Sequence, residues 1–204
     1  AAQGVLQSTA QFAPLAIGNA GLVRFAQPSD ATYTGLVTGA GGIEKTGAGV
    51  LTLTADQAFT GLTTVSAGTL QLGNGGTTGS VQGNIVNNAT LSVNRSNALT
   101  VSGTISGSGA LVQAGAGTTI LTADNSYTGG TAIEAGTLQL GNGGATGSIV
   151  GNIANNATLV LNRSDALTLP GTISGTGSVV KEGAGTTTLT AANSYSGGTA
   201  LKQG

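Results

Sequence analysis

Apolar and polar residues alternate with a period of two in short segments along the chain. Residues 50–54 (Val-Leu-Thr-Leu-Thr) form one such segment, and similar ones cover Thr69–Leu72, Thr90–Val93, Leu99–Val101 and Leu167–Leu169. They are rich in Thr, Val, Ile and Leu and are bounded by Gly, Asn or Ser, which is typical of half-buried β-strands. No stretch of the chain keeps the i, i+3, i+4 apolar spacing of an amphipathic helix. The pattern therefore predicts an all-β protein.

A long internal repeat organises these segments. The sequence Gly-Thr-Leu-Gln-Leu-Gly-Asn-Gly-Gly at 68–76 returns unchanged at 136–144, which defines a 68-residue repeat. Segments 69–136 and 137–204 are identical at 48 of 68 positions. Residues 37–204 are predicted to form regular repeats, whereas residues 1–36 align poorly and are predicted to be divergent first coils.

Within one repeat, strand-like segments recur around Leu91, Leu111, Leu138 and Leu159, at spacings of 20, 27 and 21 positions. These spacings predict about three coils per 68-residue repeat, each on the scale of a solenoid coil. One coil is too small to bury its own apolar face, so neighbouring coils must stack. We therefore expect a right-handed parallel β-helix over residues 1–204, as one segment of a larger protein. A β-sandwich is the main alternative, but it does not require a strict 68-residue repeat.

Charge and missing residue types restrict the function. Only 6% of residues are charged, the net charge is −1, and His and Cys are absent. Nucleic-acid binding needs clustered Lys and Arg, and a Ser-His-Asp triad or a Cys nucleophile cannot be built. A pair of carboxylates such as Glu44 and Asp56 is the remaining route to acid–base catalysis. One repeat after Asp56 the equivalent residue is Asp124, and two repeats after Asp56 it is Ala192. A charge that is not kept among equivalent positions favours a solvated turn residue at Asp56 over a catalytic one. We expect no catalytic residues.

Two further motifs have structural explanations that we favour. Arg95 and Arg163 are repeat equivalents, and we expect a structural role for them rather than an enzyme site: each either caps a turn or extends along apolar surface with its charged group in water. The glycine-rich residues 73–76 and 141–144 lack the Asp of a calcium-binding nonapeptide repeat and the Lys of a phosphate-binding loop. We therefore predict no cofactor and no metal.

Aromatic residues are few, and three of them share one repeat position: Phe59, Tyr127 and Tyr195. One interpretation places each ring inside a corner of a coil. The alternative is a row of exposed aromatic rings that contacts a sugar or a protein partner.

Residues 107–140 have a distinctive form, in which Gly-Ala-Gly, Asn-Ser-Tyr and Gly-Thr-Leu-Gln-Leu follow in fixed order. This segment resembles the passenger-associated strand repeat of bacterial autotransporters. Residues 39–72 and 175–204 give two further copies, with Phe59 in place of the tyrosine in the first. The resemblance implies a β-helical passenger domain at the surface of a Gram-negative bacterium, or secreted from it, and exported through a C-terminal β-barrel translocator.

Passengers of this family commonly serve adhesion, aggregation or biofilm formation, and are often virulence factors. The resemblance thus implies a structural stalk or adhesin segment, with a host-cell or matrix component, or another copy of the protein, as its partner. A self-association or receptor-binding module is the second hypothesis, and a carbohydrate-active β-helix enzyme is the third. No nucleic-acid partner is expected.

Overall fold

A computed structural model describes residues 3–6 and 15–203 of the chain. Within these residues it contains 25 short β-strands, all paired in parallel, and no helix. The strands have two to five residues, and many of them alternate between buried and outward-facing positions, as in Thr69–Leu72, where Leu70 and Leu72 are buried. The all-β parallel solenoid predicted from the alternation and the repeat is confirmed.

The strands lie on three faces, and each coil crosses the three in turn. The first face holds β1 Gln3–Leu6, β3 Leu22–Ala26, β6 Gly42–Thr46, β9 Thr63–Val65, β11 Ile85–Asn87 and β14 Ile105–Ser106, followed further along by β21 Leu167–Leu169 and β24 Thr187–Leu189. The second face holds β4 Ala31–Tyr33, β7 Val50–Leu53, β10 Thr69–Leu72, β12 Thr90–Val93, β15 Ala110–Gln113, β17 Thr131–Ile133, β19 Ile153–Asn155 and β22 Ile173–Ser174. The third face holds β2 Ile17–Gly18, β5 Val37–Gly39 and β8 Ala58–Phe59, then β13 Leu99–Val101, β16 Thr118–Leu121, β18 Thr137–Leu140, β20 Thr158–Leu161, β23 Ser178–Lys181 and β25 Thr199–Leu201.

The register fixes the length of a coil. Leu91 of β12 pairs with Leu111 of β15, and Leu111 pairs with Thr131 of β17, so the chain returns to the same face after 20 positions. The interval of 27 positions between Leu111 and Leu138 is therefore not a coil. Leu138 lies on the third face, where it pairs with Thr119. The expected number of about three coils per repeat holds, but the division of the repeat at these leucines does not.

Because the 68-residue repeat takes about three and a third coils, it advances by a third of a turn. The equivalent strands β9, β17 and β25 begin at Thr63, Thr131 and Thr199, and they lie on the first, second and third faces. Equivalent residues consequently do not stack on one another. Each packs against residues from other parts of the repeat, which the sequence comparison could not reveal.

Residues 15–36 continue the solenoid despite their divergent sequence. β3 pairs with β6 and β4 pairs with β7, in the same parallel arrangement as the later coils. Asn19 lies one 68-residue repeat before Asn87, and its side-chain amide donates to Gly42 O (2.8 Å) as Asn87 donates to Ala110 O (2.8 Å). The buried asparagine is thus a sign of the repeat in the first unit that pattern comparison missed.

The core is a narrow column of Leu, Ile and Val side chains along the axis, and it includes a few aromatic rings. Phe25 and Tyr33 pack with ring centroids 5.3 Å apart near its start. The coils approach closely at their corners. A Cβ atom at Gly115 would lie 2.2 Å from the backbone nitrogen of Arg95, so only glycine fits there.

Candidate functional site

The shared aromatic position does not form an exposed row. Phe59 and Tyr127 are both 0% exposed, and Tyr195 is half-buried against the core. The alternative of an exposed contact row is therefore wrong for Phe59 and Tyr127. The rings are buried or half-buried because each is turned into the core, and the third-of-a-turn advance places them at three different positions around the axis, so they cannot form a row.

At the shared position, each tyrosine hydroxyl instead pairs with the threonine four residues later. Tyr127 Oη lies 2.8 Å from Thr131 Oγ1, and Tyr195 Oη lies 2.6 Å from Thr199 Oγ1. Phe59, the equivalent residue one repeat before Tyr127, has no hydroxyl to make this contact. Thr63, four residues later, keeps a buried hydroxyl with no hydrogen-bond partner among the described residues.

The amide that precedes each aromatic ring closes a corner. Asn125 Oδ1 accepts from Ile105 N at 2.8 Å, and its Nδ2 donates to Ala123 O and Ser148 O. Gln57 and Asn193 occupy the equivalent positions and accept from the backbone of Val37 and Ile173. The asparagine of the Asn-Ser-Tyr motif thus satisfies backbone groups inside the solenoid.

At a second corner of the coil, a buried amine or amide donates hydrogen bonds to backbone carbonyls. Lys45 is 0% exposed, and its ammonium donates to three carbonyls, those of Thr46, Gly47 and Ala67, at 2.8–3.1 Å. Gln113 holds the equivalent position with its amide on Gly115 O and Gly117 O, and Lys181 donates to Gly183 O. Burial lowers the pKa of Lys45. A single role filled by both Lys and Gln is a structural role.

Two corner loops, residues 74–78 and 142–146, are the most exposed repeated feature of the solenoid. The first follows β10 on the second face, and the second follows β18 on the third face. Gly73, Gly75 and Gly79 have φ of 80°, 89° and 106°, a left-handed backbone that favours glycine. Loop geometry thus accounts for the glycines without a calcium ion or a phosphate.

Each loop is held by an arginine from the following coil. The guanidinium of Arg95, itself 6% exposed, donates to Thr77 O and Gly79 O in the loop and to Asp56 Oδ1 at 2.9 Å. Asn97 Oδ1 accepts from Arg95 Nε at 3.0 Å. We name the contacts of Arg95 and of Arg163 with their loops and aspartates the arginine clamps. A buried guanidinium is stable here because its donors meet acceptors.

The second clamp repeats the first. Arg163 donates to Ala145 O at 2.6 Å, to Asp124 Oδ1 at 3.3 Å and to Asp165, which stands where Asn97 does in the first clamp. Of the two structural roles expected for these arginines, capping a turn agrees with this geometry, because both guanidinium groups are buried and donate to loop carbonyls. Their aspartate partners are exposed but paired, a contact between residues 39 positions apart that sequence comparison did not indicate.

The clamp also sets the state of its carboxylate. Desolvation raises the pKa of Asp56, but hydrogen bonds from Ser80 and Arg95 and the charge of Arg95 outweigh it, so the pKa lies below its usual range. An aspartate held ionised in this way is a poor general base near neutral pH. Asp56 is therefore an ionised acceptor of the clamp.

No group of three or more His, Cys, Asp or Glu side chains that could hold a metal ion occurs among the described residues. In the same part of the chain, no helix is long and apolar enough to cross a membrane. The recurring chemistry of this solenoid is internal hydrogen bonding at its corners, together with two exposed loops. These features define a β-solenoid repeat protein.

The passenger-associated-transport-repeat family matches residues 43–72, 111–140 and 179–204. The chain is also 40% identical over 172 residues to the adhesin BmaC autotransporter of Brucella suis biovar 1 (strain 1330), an alignment that covers 74% of the chain and 5% of that relative. No solved structure matches the chain. The chain belongs among autotransporter passengers with these repeats, as the resemblance predicted.

Proposed function

We propose that this chain is a structural segment of an autotransporter passenger adhesin and acts as a stiff spacer. The observation that carries the proposal is the parallel pairing of eight successive strands along the second face, flanked by parallel sheets on the other two faces. Backbone hydrogen bonds link each coil to the next, and the arginine clamps add contacts between coils two steps apart, so the segment resists bending. At about 4.8 Å per strand, the eight strands of the second face span about 34 Å along the axis.

The spacer holds an adhesive part of the protein away from a Gram-negative cell, at the cell surface or in a secreted form. A host-cell or matrix component, or another copy on a second cell, is the partner of that adhesive part, and a β-barrel translocator exports it. Support comes from the adhesin relative. A non-enzymatic role is favoured because the described polar side chains of the repeats serve corners and clamps.

The spacer proposal is tested by changing length and sequence separately in the full-length adhesin. Deletion of residues 69–136 joins Gly68 to Thr137 and restores Gly-Thr-Leu-Gln-Leu, so the coils stay in register. The deletion shortens the spacer by about 16 Å. As the matched control, a second copy of 137–204 replaces 69–136, which keeps the length and changes 20 of the 68 positions.

We expect the deletion to reduce adhesion to a surface-bound partner, because the adhesive part no longer extends as far. The length-matched replacement retains adhesion. Adhesion that survives the deletion but is lost in the replacement refutes the spacer proposal, since the sequence of 69–136 would then matter more than its length.

Self-association is the second candidate, and one observation favours it. Outward-facing hydroxyls form a column on the third face at Thr118, Thr137, Thr158 and Ser178, paired in register from strand to strand. The column carries no charge that would repel a second copy. Sedimentation of the 204-residue chain over a range of concentrations tests this function. Dimers weakened by Thr137→Lys support it, whereas monomers at all concentrations exclude it for this segment.

A further inference from the structure

Each corner loop contains an asparagine followed by glycine, Asn74-Gly75 in the first and Asn142-Gly143 in the second. Both asparagines are exposed to water. In a flexible chain, the backbone nitrogen of a glycine attacks the amide carbon of the preceding asparagine readily, because glycine leaves that nitrogen unshielded and the backbone free to adapt. These two positions are therefore chemically vulnerable.

The fold occupies the attacking nitrogen at both positions. Gly75 N donates to Asn94 O at 2.8 Å, and Gly143 N donates to Asn162 O at 2.8 Å. The next residue is also fixed, because Gly76 O accepts from Ser96 N at 2.9 Å and from Ser96 Oγ at 3.1 Å. Attack requires this nitrogen to leave its hydrogen bond and turn toward the side chain, so the loop must first open.

The arginine clamp resists that opening. Arg95 donates to Thr77 O and Gly79 O at the C-terminal end of the first loop. Asp56 binds the same end, because its Oδ1 accepts from Gly79 N at 3.0 Å. Opening the loop breaks charge-assisted hydrogen bonds from a guanidinium that is itself buried, and such bonds are stronger than those between neutral groups.

We propose that Asn74 and Asn142 are latent deamidation sites, which the coil-to-coil hydrogen bond and the arginine clamp keep unreactive. When a loop opens, the glycine nitrogen loses its proton to water and bonds to the asparagine amide carbon, and ammonia leaves. Water then opens the resulting succinimide to aspartate or isoaspartate. The product carries a new negative charge, and isoaspartate adds one carbon to the main chain, which breaks the fit of the loop on the following coil.

Incubation of the 204-residue chain at neutral to mildly alkaline pH, with peptide mass spectrometry over time, tests the proposal. The chain unfolded in urea gives the unprotected rate. Arg95→Met removes the first clamp and Arg163→Met removes the second, so each variant contains the other loop as its internal control.

We expect both asparagines to deamidate at least about tenfold more slowly in the folded chain than in urea, because reaction requires local opening. Arg95→Met accelerates reaction at Asn74 and leaves Asn142 unchanged, and Arg163→Met does the reverse. Acceleration at both sites in one variant indicates global unfolding. In that case Ser96→Ala is used in place of Arg95→Met, because it removes only a side-chain hydrogen bond to the first loop. With this variant, deamidation must be accelerated more at Asn74 than at Asn142.

Equal rates in the folded and unfolded chain overturn the proposal. A selective variant that folds but leaves the rate at its own loop unchanged overturns the role of the clamp.

Discussion

Replacing Phe59 with tyrosine should stabilise the solenoid, although it adds a polar group to a fully buried site. The equivalent Tyr127 is equally buried, and its hydroxyl lies 2.8 Å from Thr131 Oγ1. At Phe59 the same four-residue spacing leads to Thr63, whose buried hydroxyl has no hydrogen-bond partner in the described part of the chain. Phe59→Tyr supplies that partner.

The magnitude follows from hydrogen-bond energetics. A new buried hydrogen bond between two neutral groups is expected to raise the free energy of unfolding by about 0.5–1.5 kcal/mol. The reverse change, Tyr127→Phe, leaves the Thr131 hydroxyl unsatisfied and should lower the free energy of unfolding by about 1–3 kcal/mol. Adding a hydroxyl at position 59 should thus raise the free energy of unfolding, and removing the equivalent hydroxyl at position 127 should lower it.

Chemical denaturation of the 204-residue chain measures both effects as shifts of the midpoint at unchanged slope. Amide hydrogen exchange in β9 and β17 reports the local coils, because distant coils of a solenoid are only weakly coupled. Thr63→Val is the matched control. It should be close to neutral beside Phe59, and it should remove most of the gain from Phe59→Tyr when the two are combined.

A destabilising Phe59→Tyr that Thr63→Val does not alter would show that the hydroxyl is not satisfied by Thr63. A gain that persists in the double variant would also contradict the reasoning, because it would then come from another contact.

Other substitutions test the close approach of coils and the buried lysine. Gly115→Ala places a Cβ 2.2 Å from Arg95 N and should destabilise by about 1–3 kcal/mol or more, whereas Gly76→Ala, with its nearest atom at 3.6 Å, should stay within about 0.5 kcal/mol in thermal unfolding. Burial lowers the pKa of Lys45, so the unfolded chain binds more protons between that pKa and about 10.4, and stability rises with pH in this window. Lys45→Gln, which copies Gln113, should remove the rise in denaturation curves recorded from pH 8 to pH 10; an unchanged rise would assign it to another group.

Much of the fold follows from local sequence. Alternation in segments such as Thr90–Val93 predicts strands, because a period of two is the period of side chains on a strand. The 68-residue repeat predicts a solenoid, because a unit that cannot bury its own apolar face must stack on the next. The absence of His and Cys restricts the possible chemistry through composition alone.

The corner contacts could not be predicted in the same way. Arg95 reaches Asp56 across 39 positions of sequence, and the partner of each buried amide depends on which coil lies above it. These contacts depend on the length of each coil. The spacing of the leucines gave a wrong coil length, because Leu111 lies on the second face and Leu138 on the third.

Sequence by itself determined the strands, the repeat and the stacking, because hydrophobic periodicity and limited burial per coil are properties of the chain. The tertiary structure decided how far each repeat is rotated around the solenoid axis relative to the one before it. A coil that returns to its face after 20 positions does not divide a 68-residue repeat evenly, so equivalent residues turn by a third around the axis. That turn places Phe59 and Tyr127 at different corners and the two exposed loops on different sides, because equivalent residues keep the same inward or outward direction but lie a third of a turn apart.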